Sequence, residues 1–226
     1  MKSYPTINNY SEAPRQDCYG FVKYDGSNLR FEWSKKLGWY KFGTRNLLFD
    51  ETSMFGPAIP LFKQKYGDDL EAVFKKSKMF RDVKRVIVFA EWFGAKSFAG
   101  QHEDGDPKDI ILFDVNPITK GILGPKEFLD EFGHLQVAEC VYQGNLNEEI
   151  IAQVKESKFD FVSKYPIKTK VPEGIIVKGG KGHNLWMAKI KCHAYFDELR
   201  KRKPMGWERI LEEDLVEEKP ASIRPQ

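Results

Sequence analysis

Val22-Lys23-Tyr24-Asp25-Gly26-Ser27-Asn28 decides how this chain is read. The hydrophobic lead-in at residues 19–24 predicts a strand, Asp25-Gly26 a tight turn, and residues 28–33 the next strand. A lysine at the mouth of such a turn is held by packed backbone and still reaches a ligand. Its amine becomes a nucleophile when desolvation or neighbouring cations lower its pKa. Lys-x-Asp-Gly alone equally suits an ordinary hairpin, so a chemical role for Lys23 depends on what stands further along.

Working outward, residues 29–33 alternate in the strand manner, 34–38 turn the chain, and 39–43 return, which predicts an antiparallel hairpin. Residues 57–78 have helical character. Leu61, Phe62 and Tyr66 suit one helix, Gly67-Asp68 is expected to break it, and Asp68 or Asp69 to cap a second helix carrying Leu70, Val73 and Phe74. Residues 85–93 and 110–115 read as buried strands on either side of a polar loop, 101–109. Asp104-Gly105-Asp106 in that loop lacks the spacing of an EF-hand. A helix at 126–131, a strand at 135–141 and a capped helix at 147–157 follow. Two strands, 174–178 and 185–191, are joined by Gly179-Gly180-Lys181-Gly182. The phosphate-cradling G-x-x-x-x-G-K-[ST] pattern is absent there, so a hairpin turn is expected. Beyond Cys192 the composition shifts to a basic helix at 195–203 cut by Pro204, an acidic stretch at 207–218 and a frayed end at 219–226.

A chain of 226 residues with 41% apolar and 31% charged residues fits one soluble domain with a small appendage. Seventeen phenylalanines suggest a large core and faces on which planar ligands stack. The net charge of +3 is too mild to argue for nucleic-acid binding by itself. Basic residues nevertheless cluster at Lys75, Lys76 and Lys78, at Lys164, Lys168 and Lys170, and at Lys178, Lys181, Lys189 and Lys191. The first cluster reads as solvated surface. Three cysteines without C-x-x-C spacing argue against a disulfide framework or zinc site and for a reducing, cytoplasmic setting, the host cytoplasm if the chain is viral. No apolar run is long enough to span a bilayer, and no membrane partner is expected.

Six fragments stand in order: Lys23-Tyr24-Asp25-Gly26, Thr44-Arg45-Asn46, Phe89-Ala90-Glu91-Trp92-Phe93-Gly94, Leu112-Phe113-Asp114-Val115, Glu173-Gly174-Ile175-Ile176-Val177-Lys178 and Met187-Ala188-Lys189-Ile190-Lys191. On these the chain resembles, over residues 19–191, the covalent nucleotidyltransferases, the superfamily of ATP-dependent ligases and messenger-RNA capping enzymes. The resemblance implies an α+β nucleotidyltransferase (adenylation) domain whose antiparallel sheets, flanked by helices, surround an ATP cleft. Residues 1–195 would form it, with 196–226 a short charged tail and no full second domain. The resemblance further implies that Lys23 takes AMP from ATP and that Glu91 meets the ribose hydroxyls. Phe113 would stack on the purine, and Glu173 would help hold Mg2+ or Mn2+. Lys178, Lys189 and Lys191 would contact phosphates, and Arg45 a phosphate or sugar of the nucleotide or RNA end.

The chemistry suits those residue types. Displacing pyrophosphate from a nucleoside triphosphate is mainly a matter of positioning and charge neutralisation. Lys189 and Lys191, two apart on a predicted strand, share one face, where two amines can clamp an α-phosphate. They are also expected to lower the pKa of Lys23 by repulsion. Glu173 and Lys178, five apart, fall on opposite faces unless the strand bends at Gly174.

Asn28 stands where many DNA ligases and capping enzymes of the superfamily carry arginine. Ser27-Asn28 is similar instead to the RNA ligase branch that seals nicks in double-stranded RNA, and Asn28 is implied to engage the RNA nick. The function so implied is ATP-dependent joining of RNA 3′-hydroxyl and 5′-phosphate ends through lysyl-AMP and RNA-adenylate. A capping-type guanylyltransferase using GTP, a DNA ligase and a catalytically silent RNA-binding module are the alternatives. Ligases of the superfamily usually carry a further domain after the last lysine motif, and here only the short tail follows.

Overall fold

The computed structural model describes residues 1–96, 102–158, 172–203 and 206–208. Ten strands form two five-stranded sheets: β1 (Asn8–Asn9), β2 (Asp17–Lys23), β3 (Ser27–Ser34), β4 (Gly38–Thr44), β5 (Leu48–Phe49), β6 (Arg85–Phe93), β7 (Asp109–Pro117), β8 (Cys140–Asn145), β9 (Gly174–Gly179) and β10 (Trp186–Lys191). Strand order is β1-β10-β9-β2-β8 in the first sheet and β5-β4-β3-β6-β7 in the second. Among the described residues the strands pair antiparallel except β1 with β10, and an isolated parallel bridge joins Leu112 of β7 to Val137. The α+β class and the antiparallel sheets with flanking helices are as the sequence implies.

Asp25-Gly26 bends the chain, but the strands on either side of it do not pair. β2 lies between β8 and β9, whereas β3 lies between β4 and β6. The bend therefore carries the chain from one sheet to the other, and Lys23 ends its strand at the seam. A Cβ on Gly26 would sit 2.4 Å from the Trp92 carbonyl oxygen, so only glycine allows this crossing.

Strand alternation sorts the second sheet into two faces. Leu29, Phe31 and Trp33 of β3 and Val86, Val88 and Ala90 of β6 join the main core under α1 (Ala58–Phe62) and α2 (Asp68–Lys76). Phe31 stacks on Phe62 with centroids 3.8 Å apart and planes 8° apart. The opposite face carries Asn28 on β3 and Phe89 and Glu91 on β6. α3 (Pro125–Phe132), started by Glu127 accepting from the Gly124 N–H at 3.0 Å, adds Phe128 and Phe132 to the main core. α4 (Glu148–Lys155), capped by Asn147, and α5 (His193–Arg202) cover the first sheet. α5 runs across the boundary expected after residue 195.

Two local expectations fail. Gly67-Asp68 does not break the helix. A π-helical stretch, Lys63–Gly67, runs straight into α2, and Gly67 stays right-handed at φ −52°. The Gly67 carbonyl accepts from Trp39 Nε1 at 3.3 Å and the buried Tyr66 hydroxyl donates to the Gln136 carbonyl at 2.6 Å, so tertiary bonds hold the wide turn. Residues 135–141 form no strand of their own before Cys140. Ala138 N–H donates to the Leu112 carbonyl at 2.7 Å, and the Glu139 carbonyl accepts from Val22 N–H at 2.9 Å. The segment is an extended bridge from the second sheet to the first. Cys18, Cys140 and Cys192 are free thiols. Among the described residues no helix is long and apolar enough to cross a membrane. Lys164, Lys168 and Lys170, the acidic stretch from residue 209 onward and the end at 219–226 lie outside the described residues.

Candidate active site

A cavity of about 390 Å³ opens between the two sheets, a size suited to a small-molecule ligand. The first sheet contributes Lys23, Lys178, Lys189 and Lys191, the second Asn28, Glu91 and Phe113, and Arg45 stands just past β4. Glu173, immediately before β9, reaches the same cluster through its ion pairs. Every site residue expected from the sequence is thus brought to one place.

At one end of the cavity stands the amine cluster. Lys23 Nζ lies 2.8 Å from Glu173 Oε1, and the same oxygen lies 3.5 Å from Lys191 Nζ. Burial opposes charge on Lys23, but Glu173 and Glu91 together outweigh it and hold the amine above its ordinary pKa of 10.5. This corrects the expectation that repulsion from Lys189 and Lys191 lowers it: the carboxylates set the direction of the shift. Glu91 is pushed up to about 8, first by burial, against the pull of Lys23. It faces Asn28 across the β3–β6 ladder and accepts a hydrogen bond from the Gly26 backbone. The Asn28 Oδ1 is buried and has no hydrogen-bond partner, an acceptor left for a ligand donor. Lys189 and Lys191 alternate on β10 and both line the cavity, as their spacing predicts.

Gly174 resolves the phase problem between Glu173 and Lys178. It takes φ +143°, and a Cβ there would lie 2.0 Å from the Ile190 carbonyl oxygen. The bend turns Glu173 toward Lys23, which stands opposite Gly174 in the β2–β9 register, while Ile176 and Lys178 continue along the cavity face.

The other end is aromatic. Tyr4 meets Phe113 edge-on, with centroids 5.1 Å apart, and Phe113 lies near-parallel to Phe89 at 6.4 Å. A register shift between Phe89 and Ala90 of β6 makes β7 bulge there. Phe113 and Asp114, neighbours in sequence, are thereby both directed to the cavity side. Lys178, 2% exposed, gives its ammonium to Asp114 Oδ2 at 2.8 Å and to the Phe113 carbonyl at 3.1 Å. The Phe21 ring centroid lies 4.9 Å from the same nitrogen. The Tyr4 hydroxyl donates to the same Asp114 oxygen. Burial raises the Asp114 pKa, against the pull of Lys178. Tyr4 and Asp114 escaped the sequence reading of the site. An acid inside the apolar run 110–115 was the available signal for Asp114, since buried acids are rare without a partner, and Tyr4 carried none.

Among the described residues no group of three or more His, Cys, Asp or Glu side chains could hold a metal ion unaided. Magnesium-type ions take one or two carboxylates and complete their shell with phosphate oxygens and water. Glu173, a hard oxygen donor at the amine cluster, fits that pattern when a polyphosphate supplies the rest. Basic side chains from the first sheet, with Arg45 just past β4, around a partly exposed amine suit an anionic, polyphosphate-bearing ligand.

The family model for RNA ligase matches residues 17–191 of the chain. No curated protein matches its sequence. Among solved structures, a Naegleria gruberi RNA ligase mutant with ATP and Mn superposes with TM-score 0.60 at 18% identity, covering 89% of this chain and 58% of that one. The Naegleria gruberi RNA ligase with PPi gives TM-score 0.59 at 16% identity, covering 90% and 58%. A further mutant with AMP and Mn gives 0.58 at 17%, covering 89% and 58%. The chain thus spans under two thirds of the length of these structures.

Proposed function

The chain belongs to the RNA ligase family, and we propose that it is an ATP-dependent enzyme joining RNA 3′-hydroxyl and 5′-phosphate ends. The observation that carries this reading is the Lys23 amine, at the end of β2, facing a cavity where Glu173, Lys189 and Lys191 converge. Lys23 Nζ, once deprotonated, attacks the α-phosphorus of ATP. The new P–N bond replaces the P–O bond to pyrophosphate. The nucleotide then passes to a 5′-phosphate as the P–N bond breaks and an anhydride forms. A 3′-hydroxyl attacks that activated phosphate and AMP leaves.

Lys189 and Lys191 neutralise phosphate charge and leave with none of the reacting atoms. Glu91 binds the ribose hydroxyls, Phe113 stacks on the purine, and Arg45 meets a phosphate or sugar of the bound nucleotide or of the RNA end. Lys178 keeps the base platform in place through Asp114 instead of reaching a phosphate. Asn28, with its unpartnered oxygen, engages the nick in duplex RNA. A divalent ion, Mg2+ or Mn2+, held by Glu173 and phosphate oxygens, supplies charge neutralisation when bound. The superposed Naegleria structures, solved with ATP and Mn, with AMP and Mn and with PPi, support a nucleotide in a fold of this kind. The free thiols suit a cytoplasmic, reducing setting.

The test is mass spectrometry of the protein after incubation with magnesium and either ATP or GTP. Gain of one AMP from ATP is expected. Gain of GMP alone would point to guanylyl transfer, and no gain from either to a silent binding module. A panel of nicked duplexes with RNA or DNA in each strand then reads strand preference. Sealing only of all-DNA nicks would reject the RNA assignment.

A further inference from the structure

The first nine residues run across the cavity. At one end they are tied to the second sheet: Arg30 Nη1 donates to the Met1 carbonyl and to Ser3 Oγ, each at 3.2 Å. Ser3 Oγ in turn donates to the Arg45 carbonyl at 2.9 Å, and Arg45 Nη2 donates to Thr6 Oγ1 at 2.6 Å. At the other end they are tied to the first sheet, where Asn8 and Asn9 pair with Ala188 and Lys189. Between these ties Tyr4, Pro5, Thr6 and Ile7 line the cavity.

Tyr4 is 6% exposed and touches the base end on two sides. Its ring meets Phe89 at 4.9 Å and Phe113 at 5.1 Å, both edge-on. Its hydroxyl donates to Asp114, the residue that also holds Lys178. We propose that residues 3–9 are a fixed wall of the nucleotide site and that Tyr4 is a positioning residue for base recognition, an inference that rests on reading this cavity as an ATP site. Tyr4 fixes the edge of the Phe113 ring and the orientation of Asp114, so the stacking face is set before the base arrives. Preorganisation of this kind is gained as affinity for the part of the ligand it serves. It serves the base, and not the polyphosphate that the lysines hold.

The experiment compares ATP with inorganic tripolyphosphate, which lacks the base. Both are titrated calorimetrically, with magnesium, into the full chain carrying Lys23→Ala, so that no adduct forms. Tyr4→Ala is expected to weaken ATP by about tenfold, the combined scale of two edge-on ring contacts. Tripolyphosphate affinity should change by less than about twofold. Tyr4→Phe keeps the ring, leaves the fold's packing intact and should weaken ATP by about threefold, the scale of one hydrogen bond. Equal losses for both ligands, or unchanged ATP affinity in both variants, overturn the inference. A chain with Lys23 intact that binds ATP and gains no AMP overturns the ligase chemistry while the binding comparison still decides Tyr4. Failure of ATP to bind at all overturns both.

Discussion

The two ends of one cavity are built on opposite principles. At the amine end Lys23, with a side chain 26% exposed, shares the buried Glu173 with Lys191, whose side chain is 10% exposed. At the aromatic end Lys178 and Asp114, with side chains 3% and 1% exposed, are sealed together, with Tyr4 as third partner. The open end has pairings that a ligand can exchange: phosphate oxygens can take the lysines, and a metal ion the carboxylate. The sealed end has nothing to exchange, because a buried charge without its partner is costly. On the proposed function, chemistry falls where partners swap, and shape where they do not.

The largest expected effect falls at the open end. Lys23→Ala should abolish covalent AMP entirely, because Lys23 is the lysine that β2 brings to the cavity and the nearby Lys189 and Lys191 are assigned to phosphates. The fold should keep its Tm within a few degrees, since Lys23 is half-open. Mass spectrometry and a thermal melt read both. Any residual adduct at another lysine would break the assignment of the amine end. At the sealed end the order of effects reverses. Lys178→Ala leaves the buried Asp114 with the Tyr4 hydroxyl but without its cation and should destabilise the fold by about 3–5 kcal/mol in urea titration. The pair of changes Lys178→Met and Asp114→Leu should restore most of that loss, since apolar replacement of a buried ion pair is often neutral. Destabilisation below 1 kcal/mol by the single change, of the order of a surface substitution (about 0.5 kcal/mol), would mean the pair is less sealed than its exposure indicates.

The same contrast explains what was legible in the sequence. Period-2 alternation pointed to β3, apolar runs rich in Val, Ile and Phe pointed to β6 and β7, and motif order pointed to Lys23, Glu91, Phe113, Glu173, Lys189 and Lys191, which the fold gathers at one cavity. Only Lys189 and Lys191 stand out by spacing; Glu91, Phe113 and Glu173 are unremarkable by type and are implied by the resemblance. The bend at Gly174 was anticipated as the condition for Glu173 and Lys178 to share a site. Strand partners were not legible: Asp25-Gly26 has the look of a hairpin turn and acts as a crossing between sheets, a fact fixed by β8, β9, β4 and β6 far along the chain. Residues 135–141 are apolar enough for a strand, yet their hydrogen bonds are divided between two sheets. Tyr4 and Asp114 are 110 positions apart, and a bulge sets the direction of Asp114. Local pattern carries no trace of either.

Glu91 lies between the two ends and tests whether burial or the amine dominates there. Its carboxyl is raised from an ordinary 4.5 to about 8 in the fold. An acid so raised binds its proton more tightly folded than unfolded. The associated stability is fully present below pH 4.5 and is lost as the pH climbs to about 8. Glu91→Gln has nothing to ionise. Its Tm should equal that of the parent near pH 4 and exceed it increasingly up to pH 8, by on the order of 10 °C, then run parallel. A constant difference across that range would show that Lys23 already compensates the carboxylate.

The smallest effect is a change in one titration with no change in fold. In the ligand-free protein Glu173 and Glu91 hold Lys23 above its ordinary pKa in spite of burial. Glu173→Gln removes the nearer charge and keeps the side-chain shape. Burial then has the larger say, and the Lys23 amine should titrate lower by about one to three pH units, the range of a close opposite charge. Isotope-edited NMR of the lysine side chains follows this directly, with Lys23→Ala identifying the resonance. The sign matters more than the size. A fall means the ligand-free site stores its nucleophile as an ammonium locked to a carboxylate, so that displacement of Glu173 by other cations is what frees the amine. A Lys23 pKa that stays put in Glu173→Gln would put that control in Glu91, and would move the exchangeable partner from the first sheet to the second.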